Sequence, residues 1–232
     1  MSMKYKKIVE GVFIERPNRF IAKVLINNTE ETVHVKNTGR CRELLVKQCR
    51  VFLSETDNPS RKTRYDLVAV EKVTPNGTIL INMDSQIPND AVYEWLQKGE
   101  LFSKSAVIRR EVKYKNSRFD FYVEDNGKNI FLEVKGVTLE NNGIAMFPDA
   151  PTERGVKHIN ELCRCIEDGY CAYIIFVIQM KGVHLFKPNA DTHPEFADAL
   201  EYAAKKGVGI LAYDCVVTES SIEIDKTVKI NI

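Results

Sequence analysis

Asp120, Glu133 and Lys135 are two carboxylates and an ammonium set inside two adjacent runs otherwise rich in Phe, Tyr, Val and Ile. In core-forming segments such charges would repel one another or be stranded away from water. They suit a hard divalent cation, Mg2+ or Mn2+, which takes oxygen ligands and works beside a phosphate. The chemistry this points to is metal-assisted hydrolysis of a phosphodiester.

The element that must position these groups is a hairpin. The runs Arg118 to Glu124 and Asn129 to Lys135 flank Asp125-Asn126-Gly127, and an Asn-Gly pair between two such runs is a strong turn signal. Side chains alternate along a strand, so Phe131, Glu133 and Lys135 share one face while Ile130, Leu132 and Val134 form the other. Asp120 then lies across the hairpin near Glu133. A second Glu-x-Lys, Glu111-Val112-Lys113, shows that the tripeptide alone carries little. Only Glu133 follows a strand with an acid in its middle.

At 232 residues, 44% hydrophobic and 28% charged, the chain has material for one large domain or two small ones. No apolar run approaches the roughly 18 residues of a membrane span. The basic start Met1-Ser2-Met3-Lys4-Tyr5-Lys6-Lys7 runs into Val9-Glu10-Gly11, with no apolar segment of a secretion signal, so a cytoplasmic protein is expected. Six scattered cysteines without C-x2-C spacing argue for reduced thiols and against structural zinc. The net charge of +1 hides an asymmetry: residues 1–66 hold 14 Lys and Arg against 8 Asp and Glu, and the remainder 19 against 24. A basic N-terminal module favours polyanions.

That module reads as short strands: Ile8 to Ile14, Arg19 to Ile26, Thr32 to Lys36, Arg50 to Ser54 and Leu67 to Val73. Five strands, with a short helical pattern over Cys41 to Val46 between the third and fourth, fit an OB-type barrel. Glu55 to Thr63 is then the loop between strands four and five, one that such barrels use on nucleic acid. Lys36, Arg40, Arg42, Arg61, Lys62 and Arg64 are the candidate phosphate contacts, with Asn37 beside them in the loop that follows the third strand.

A turn at Pro75-Asn76-Gly77 leads to a boundary near residue 85, giving a barrel over 1–84 and a second domain over 85–232. Asn89 is the expected cap of a helix over Asp90 to Lys98. Val107 to Tyr114, the hairpin, a loop from Gly136 to Pro151 and a helix from Thr152 to Asp168 follow. Ala172 to Gln179 is a buried strand, Pro194 to Lys206 a helix and Val208 to Tyr213 another buried strand. Gln179, at the end of its strand, is a candidate to position Lys135 or a water. Arg154, Lys157 and His158 fall at i, i+3 and i+4 on one face at a helix start, where cations oppose the dipole unless an anion sits there. They are read as phosphate contacts, with Ile159, Leu162 and Ile166 as the opposing apolar stripe.

The acids on the second and third strands, in the order helix, three strands, helix, strand, resemble the D-(x)n-E-x-K signature of the PD-(D/E)xK nuclease superfamily. Asn37-Thr38-Gly39-Arg40, Ser117-Arg118-Phe119-Asp120-Phe121, Glu133-Val134-Lys135-Gly136-Val137-Thr138-Leu139 and the run from Phe147 to His158 together resemble the sugar fermentation stimulation protein (SfsA) family over nearly the whole chain. The chain departs from it at Val35-Lys36, where the family often carries Cys-Pro. The resemblance implies an α/β (α+β) architecture: an OB-type barrel, then a restriction-endonuclease-like mixed-sheet domain. It also implies DNA binding and a regulatory link to sugar use.

Two function classes stay open. In the first, a metal-dependent nuclease, Asp120, Glu133 and the Val134 carbonyl hold Mg2+ while Lys135 orients water or steadies developing charge. In the second, a DNA-binding regulator of sugar metabolism genes keeps the nuclease-like core as a scaffold. No base-reading motif is present to support it. Nucleic acid, most simply DNA, is the expected partner, no membrane is, and the oligomeric state is left open, a homodimer included.

Overall fold

A computed structural model of the chain describes residues 3–37, 39–75 and 77–232. Thr38 of the Asn-Thr-Gly loop and Asn76 of the expected turn lie outside them. Apolar residues in β2 (Ile8–Asn18), β3 (Ile21–Ile26), β4 (Thr29–Val35), β5 (Arg50–Glu55) and β6 (Tyr65–Thr74), alternating most strictly in β3, bury Val24, Val33, Val35, Val51 and Leu67. The strands run in the order β4-β3-β2-β5-β6, and a parallel β4–β6 pairing at His34↔Asp66 and Val35↔Leu67 closes them into a five-stranded ring. This is the expected OB-type barrel, lengthened by β7 (Gly77–Asn82) against β6.

Cys41 to Val46 does not form a helix. Leu44 and Leu45 N–H groups both bond to the Cys41 carbonyl, and the Val46 N–H turns to Leu44, so the segment is a pair of tight turns. Burial of Cys41, Leu44 and Leu45 plugs the barrel end without helical continuation.

The second layer is a seven-stranded sheet. Its order is β1 (Met3–Lys4), β16 (Ser221–Thr227), β15 (Gly209–Thr218), β13 (Cys171–Ile178), β10 (Lys128–Val137), β9 (Ser117–Asp125) and β8 (Val107–Tyr114). The central pairs β10–β13 and β13–β15 are parallel and the flanking ones antiparallel. Strand β1, though it precedes the barrel in the chain, belongs to this sheet.

Helix α1 (Ile87–Gln97) covers one face, packing Val92, Trp95 and Leu96 with Leu132, Val134 and Ile175. Helices α2 (Glu153–Glu167) and α3 (Pro194–Lys205) cover the other, where Ile159, Leu162, Phe196 and Leu200 meet Phe131, Ile174 and Phe176.

Two further expectations fail locally. Asn89 is not a cap: α1 starts three residues earlier than expected, at Ile87, with Gln86 as its N-cap and Pro88 in the first turn, where a missing N–H costs nothing. Residues 136–151 are not a plain loop, because β11 (Leu139–Asn141) and β12 (Ile144–Phe147) form a hairpin, which β14 (Leu185–Pro188) and β17 (Lys229–Ile230) extend into a small second sheet. All six cysteines are free thiols. Among the described residues no helix is long and apolar enough to cross a membrane.

Candidate functional site

The β9–β10 hairpin turns at Asn126 and Gly127, with φ of 47° and 74°, the left-handed pair that an Asn-Gly turn provides. Regular pairing runs from Lys128↔Asp125 to Leu132↔Phe121. Beyond it the Asp120 carboxylate takes a backbone partner's role: Oδ2 accepts the Val134 N–H at 2.7 Å, while Oδ1 accepts Asn89 Nδ2 at 2.7 Å. Strand β9 twists through this point. Phe119 and Phe121, two residues apart, lie in the apolar clusters on opposite sides of the sheet, and Glu111 on β8, flanked by Arg110↔Phe121 and Val112↔Phe119, has φ 55°.

Glu133 is 3% exposed. Its Oε1 accepts Lys135 Nζ at 2.6 Å and is also bonded to His158 Nδ1, whereas Oε2 is buried without a hydrogen-bond partner. Arg154 Nε points at His158 Nε2 at 3.4 Å. Because an arginine Nε always donates, Nε2 of His158 is the acceptor and Nδ1 carries the proton given to Glu133. Glu111, of the other Glu-x-Lys, stays exposed.

The two carboxyls are driven apart. Burial and the neighbouring Glu133 charge push Asp120 up to about 6, against the opposing pull of the Val134 N–H, Lys135 and Asn89. Burial alone would raise Glu133 too, but the His158 hydrogen bond and the Lys135 charge outweigh it and hold that carboxyl below its ordinary value. A pair split in this way keeps one negative charge fixed and leaves the second to be taken up by a proton or a cation.

The other expected residues separate into distinct environments. His158 does not face solvent. It is 5% exposed and lies under the sheet, so its role is toward Glu133, while Arg154 and Lys157 remain on the outer side, Lys157 Nζ reaching the Asn116 carbonyl at 3.2 Å. Gln179 does not reach Lys135. Its Nε2 donates to the Asn82 carbonyl, Asn82 Oδ1 and the Asp84 carbonyl, tying the barrel to the end of β13. Lys36 is committed to the buried Asp84 at 2.6 Å and Arg61 to Asp66 at 2.5 Å. Arg64 pairs with Glu55 at 2.7 Å from an exposed position. Asn37 Oδ1 accepts the Gly39 N–H at 2.8 Å and shapes its loop. Arg40, Arg42 and Lys62 are exposed, and their side chains make no ion pair among the described residues.

Asn89 and the His158–Glu133 contact are the site features that sequence reasoning missed. The second was signalled: Gly155, His158, Ile159 and Leu162 recur at helical spacing and are all buried, so His158 sits on the apolar face of α2. Among the described residues no group of three or more His, Cys, Asp or Glu side chains gathers as a metal cage.

Fold and site define a class, a barrel of OB type fused to a mixed α/β domain that carries an acid pair, Glu133 buried and Asp120 half-buried, with a lysine at the end of its hairpin. Two family models match in tandem, the SfsA N-terminal OB domain over residues 14–81 and the sugar fermentation stimulation protein RE domain over 86–221. The chain belongs to the sugar fermentation stimulation protein family. It is 61% identical to the sugar fermentation stimulation protein homolog of Ruminiclostridium cellulolyticum over 99% of this chain and 100% of the relative, and 60% identical to that of Clostridium beijerinckii over 96% of each. Among solved structures it is similar to Pyrococcus furiosus SfsA in complex with Ca2+, with a TM-score of 0.87 and 28% identity across 100% of both chains.

Proposed function

We propose that this protein is a Mg2+- or Mn2+-dependent nuclease that holds nucleic acid, most simply DNA, on its barrel and hydrolyses phosphodiester bonds at the Asp120–Glu133 pair. The observation that carries this reading is Glu133 Oε2, a buried carboxylate oxygen without a partner beside an acid raised to about 6. An orphaned anion of this kind is costly in a fold that has no use for it.

The donor set fits a hard cation. Asp120, Glu133 and the Val134 carbonyl offer oxygens only, and two carboxylates are what Mg2+ takes from a protein when water and substrate phosphate complete its shell. When bound, the cation supplies Lewis-acid polarisation of the phosphate and a more acidic water. Lys135, held in place by Glu133, is the ammonium that would steady negative charge developing on the phosphate. His158 and Arg154 fix the Glu133 carboxylate and so the direction of Oε2, while Asn89 does the same for Asp120. Arg40, Arg42 and Lys62 supply the exposed positive charge for the polyanion. The Ca2+ complex of the Pyrococcus furiosus relative supports a site for a hard divalent cation in this fold.

The test is a panel of labelled DNA and RNA, single-stranded and duplex, incubated with the purified protein and Mg2+ or Mn2+, with Asp120→Asn in parallel. Cleavage by the wild type alone supports the nuclease. Metal binding without cleavage of any substrate would favour instead a non-catalytic DNA-binding regulator on a nuclease-like scaffold.

A further inference from the structure

Outside the acid pair, the junction of the two modules forms a half-open cavity of about 340 Å3. It opens at the carboxyl ends of the parallel strands β10 and β13, where open α/β sheets receive their ligands. Asn37 comes from the barrel and Ser85 from the connection, while Gly136, Thr138, Asp149 and Gln179 come from the second domain.

The lining holds side chains able to donate, Asn37 and Thr138 among them, together with two acceptors that no donor among the described residues meets. Gln179 is 1% exposed and spends its Nε2 on Asn82 and Asp84, so its Oε1 points the other way, toward Gly136, and accepts no hydrogen bond among the described residues. A methyl group on Gly136 would stand 2.4 Å from that oxygen, so glycine is what keeps it reachable. Asp149 accepts the Arg40 N–H with Oδ2 at 3.1 Å and has Oδ1 without a donor among the described residues. Phe147 and Pro148 supply apolar wall. Two free acceptors beside the apolar wall of Phe147 and Pro148 suit a flat guest with N–H donors, and a carboxylate in the lining repels phosphate.

We infer that this cavity binds a single unstacked nucleobase carrying an amino group, taken from the strand whose phosphate lies at the acid pair. The inference rests on the nucleic-acid reading above and adds a base-holding site to it. Gly136 follows Lys135 directly and is three residues past Glu133, about 10 Å along a strand, a separation that the base and phosphate of one nucleotide can span. The volume lies at the small end of ligand pockets and suits one base with its sugar. Adenine, cytosine and guanine each present an exocyclic amine to such acceptors, whereas thymine has none. The base reaches the slot either as the end of a strand or by being turned out of one, at the cost of its stacking.

Oligonucleotides, single-stranded and duplex, carrying 2-aminopurine at the 5′ end, the 3′ end or an interior position separate these sources. Fluorescence of the probe, which rises when the base leaves its stack, is read together with anisotropy of an end label, in EDTA and again in Ca2+. Ser85→Phe at the exposed rim and Ala150→Phe in the wall each fill the slot independently. The expected result is a fluorescence rise for one probe position with the wild type, lost in both filled variants while anisotropy still reports binding. Bound oligonucleotide without a rise at any position, or a rise that survives in a folded filled variant, overturns the base site alone. Absence of binding by the wild type takes down the nucleic-acid reading and the base site with it.

Discussion

Asn89 Nδ2 lies 2.7 Å from Asp120 Oδ1, so the first turn of α1 holds one oxygen of the carboxylate whose other oxygen is held by the Val134 N–H. Asn89→Ala leaves that oxygen unsupported. Stability is expected to fall by about 1 kcal/mol, and Mg2+ affinity about 10- to 100-fold, the usual effect of removing an outer partner of a metal ligand. Urea unfolding and calorimetric titration measure the two effects. Unchanged metal affinity would mean that Asn89 only ties α1 to the sheet.

His158→Ala removes the largest influence opposing the burial of Glu133. Loss of a hydrogen bond to a buried charged group costs about 1–3 kcal/mol, visible in urea unfolding at pH 7. The sign with pH follows from the lowered carboxyl: the stability that Glu133 contributes is present above its ordinary value of 4.5 and is lost as pH falls through the folded value. The gap between His158→Ala and wild type is therefore expected to narrow in acid. His158→Gln, which keeps a donor, is expected to recover part of the loss at pH 7.

Asp120 has the opposite sign. Its carboxyl is raised from 3.8 to about 6, so its favourable contribution is present below 3.8 and is lost as pH rises through 6 in the metal-free protein. Relative to wild type, Asp120→Asn is expected to gain stability between pH 4 and pH 7, by at most about 3 kcal/mol for a shift of this size. Denaturation midpoints across that range give the slope. Mg2+ affinity of the wild type is expected to weaken below pH 6, where a proton competes for the same oxygens.

Much of this site is legible in the sequence because it rests on short-range rules. Strand alternation places Glu133 and Lys135 on the face of Phe131, and Asn126-Gly127 sets the register that brings Asp120 across. The barrel strands read equally well: β3 alternates strictly, and β5 and β6 are short apolar runs between turn residues. What escaped depends on packing between distant segments or on weighing two local signals. Asn89 looks like a cap until Pro88 is credited with the first turn, and its bond to Asp120 spans 31 residues. Lys36 looks like a free cation, but its partner Asp84 lies 48 residues on. Arg61 has Asp66 only five residues ahead, a local pairing that its place in a basic loop obscured. The β11–β12 hairpin was signalled by Asn142-Gly143, whose φ values of 52° and 78° repeat the turn at 126–127.

The barrel's cations now divide into those free for phosphate and those holding structure. Arg40→Ala, Arg42→Ala and Lys62→Ala are each expected to lower the log-log salt slope of DNA binding by roughly 0.7–0.9 for every phosphate left without its cation, with little change in stability. Lys36→Ala strands the buried Asp84 and is expected to cost about 3–5 kcal/mol, the range for a buried charge left unpaired. Anisotropy titrations over a salt series, paired with thermal unfolding, separate the two groups. A salt slope unaltered by the triple variant of Arg40, Arg42 and Lys62 would remove the barrel from the binding surface.

Whether Asp120 and Glu133 together hold a divalent cation is read by calorimetric titration of Mg2+ and Mn2+ into wild type, Asp120→Asn, Glu133→Gln and Lys135→Ala. The expected result is one site in the wild type, its loss in both carboxylate variants, and its survival in Lys135→Ala, which fails to cleave because an ammonium is no ligand but supports charge at the phosphate. Equal metal affinity in wild type and Asp120→Asn would contradict it.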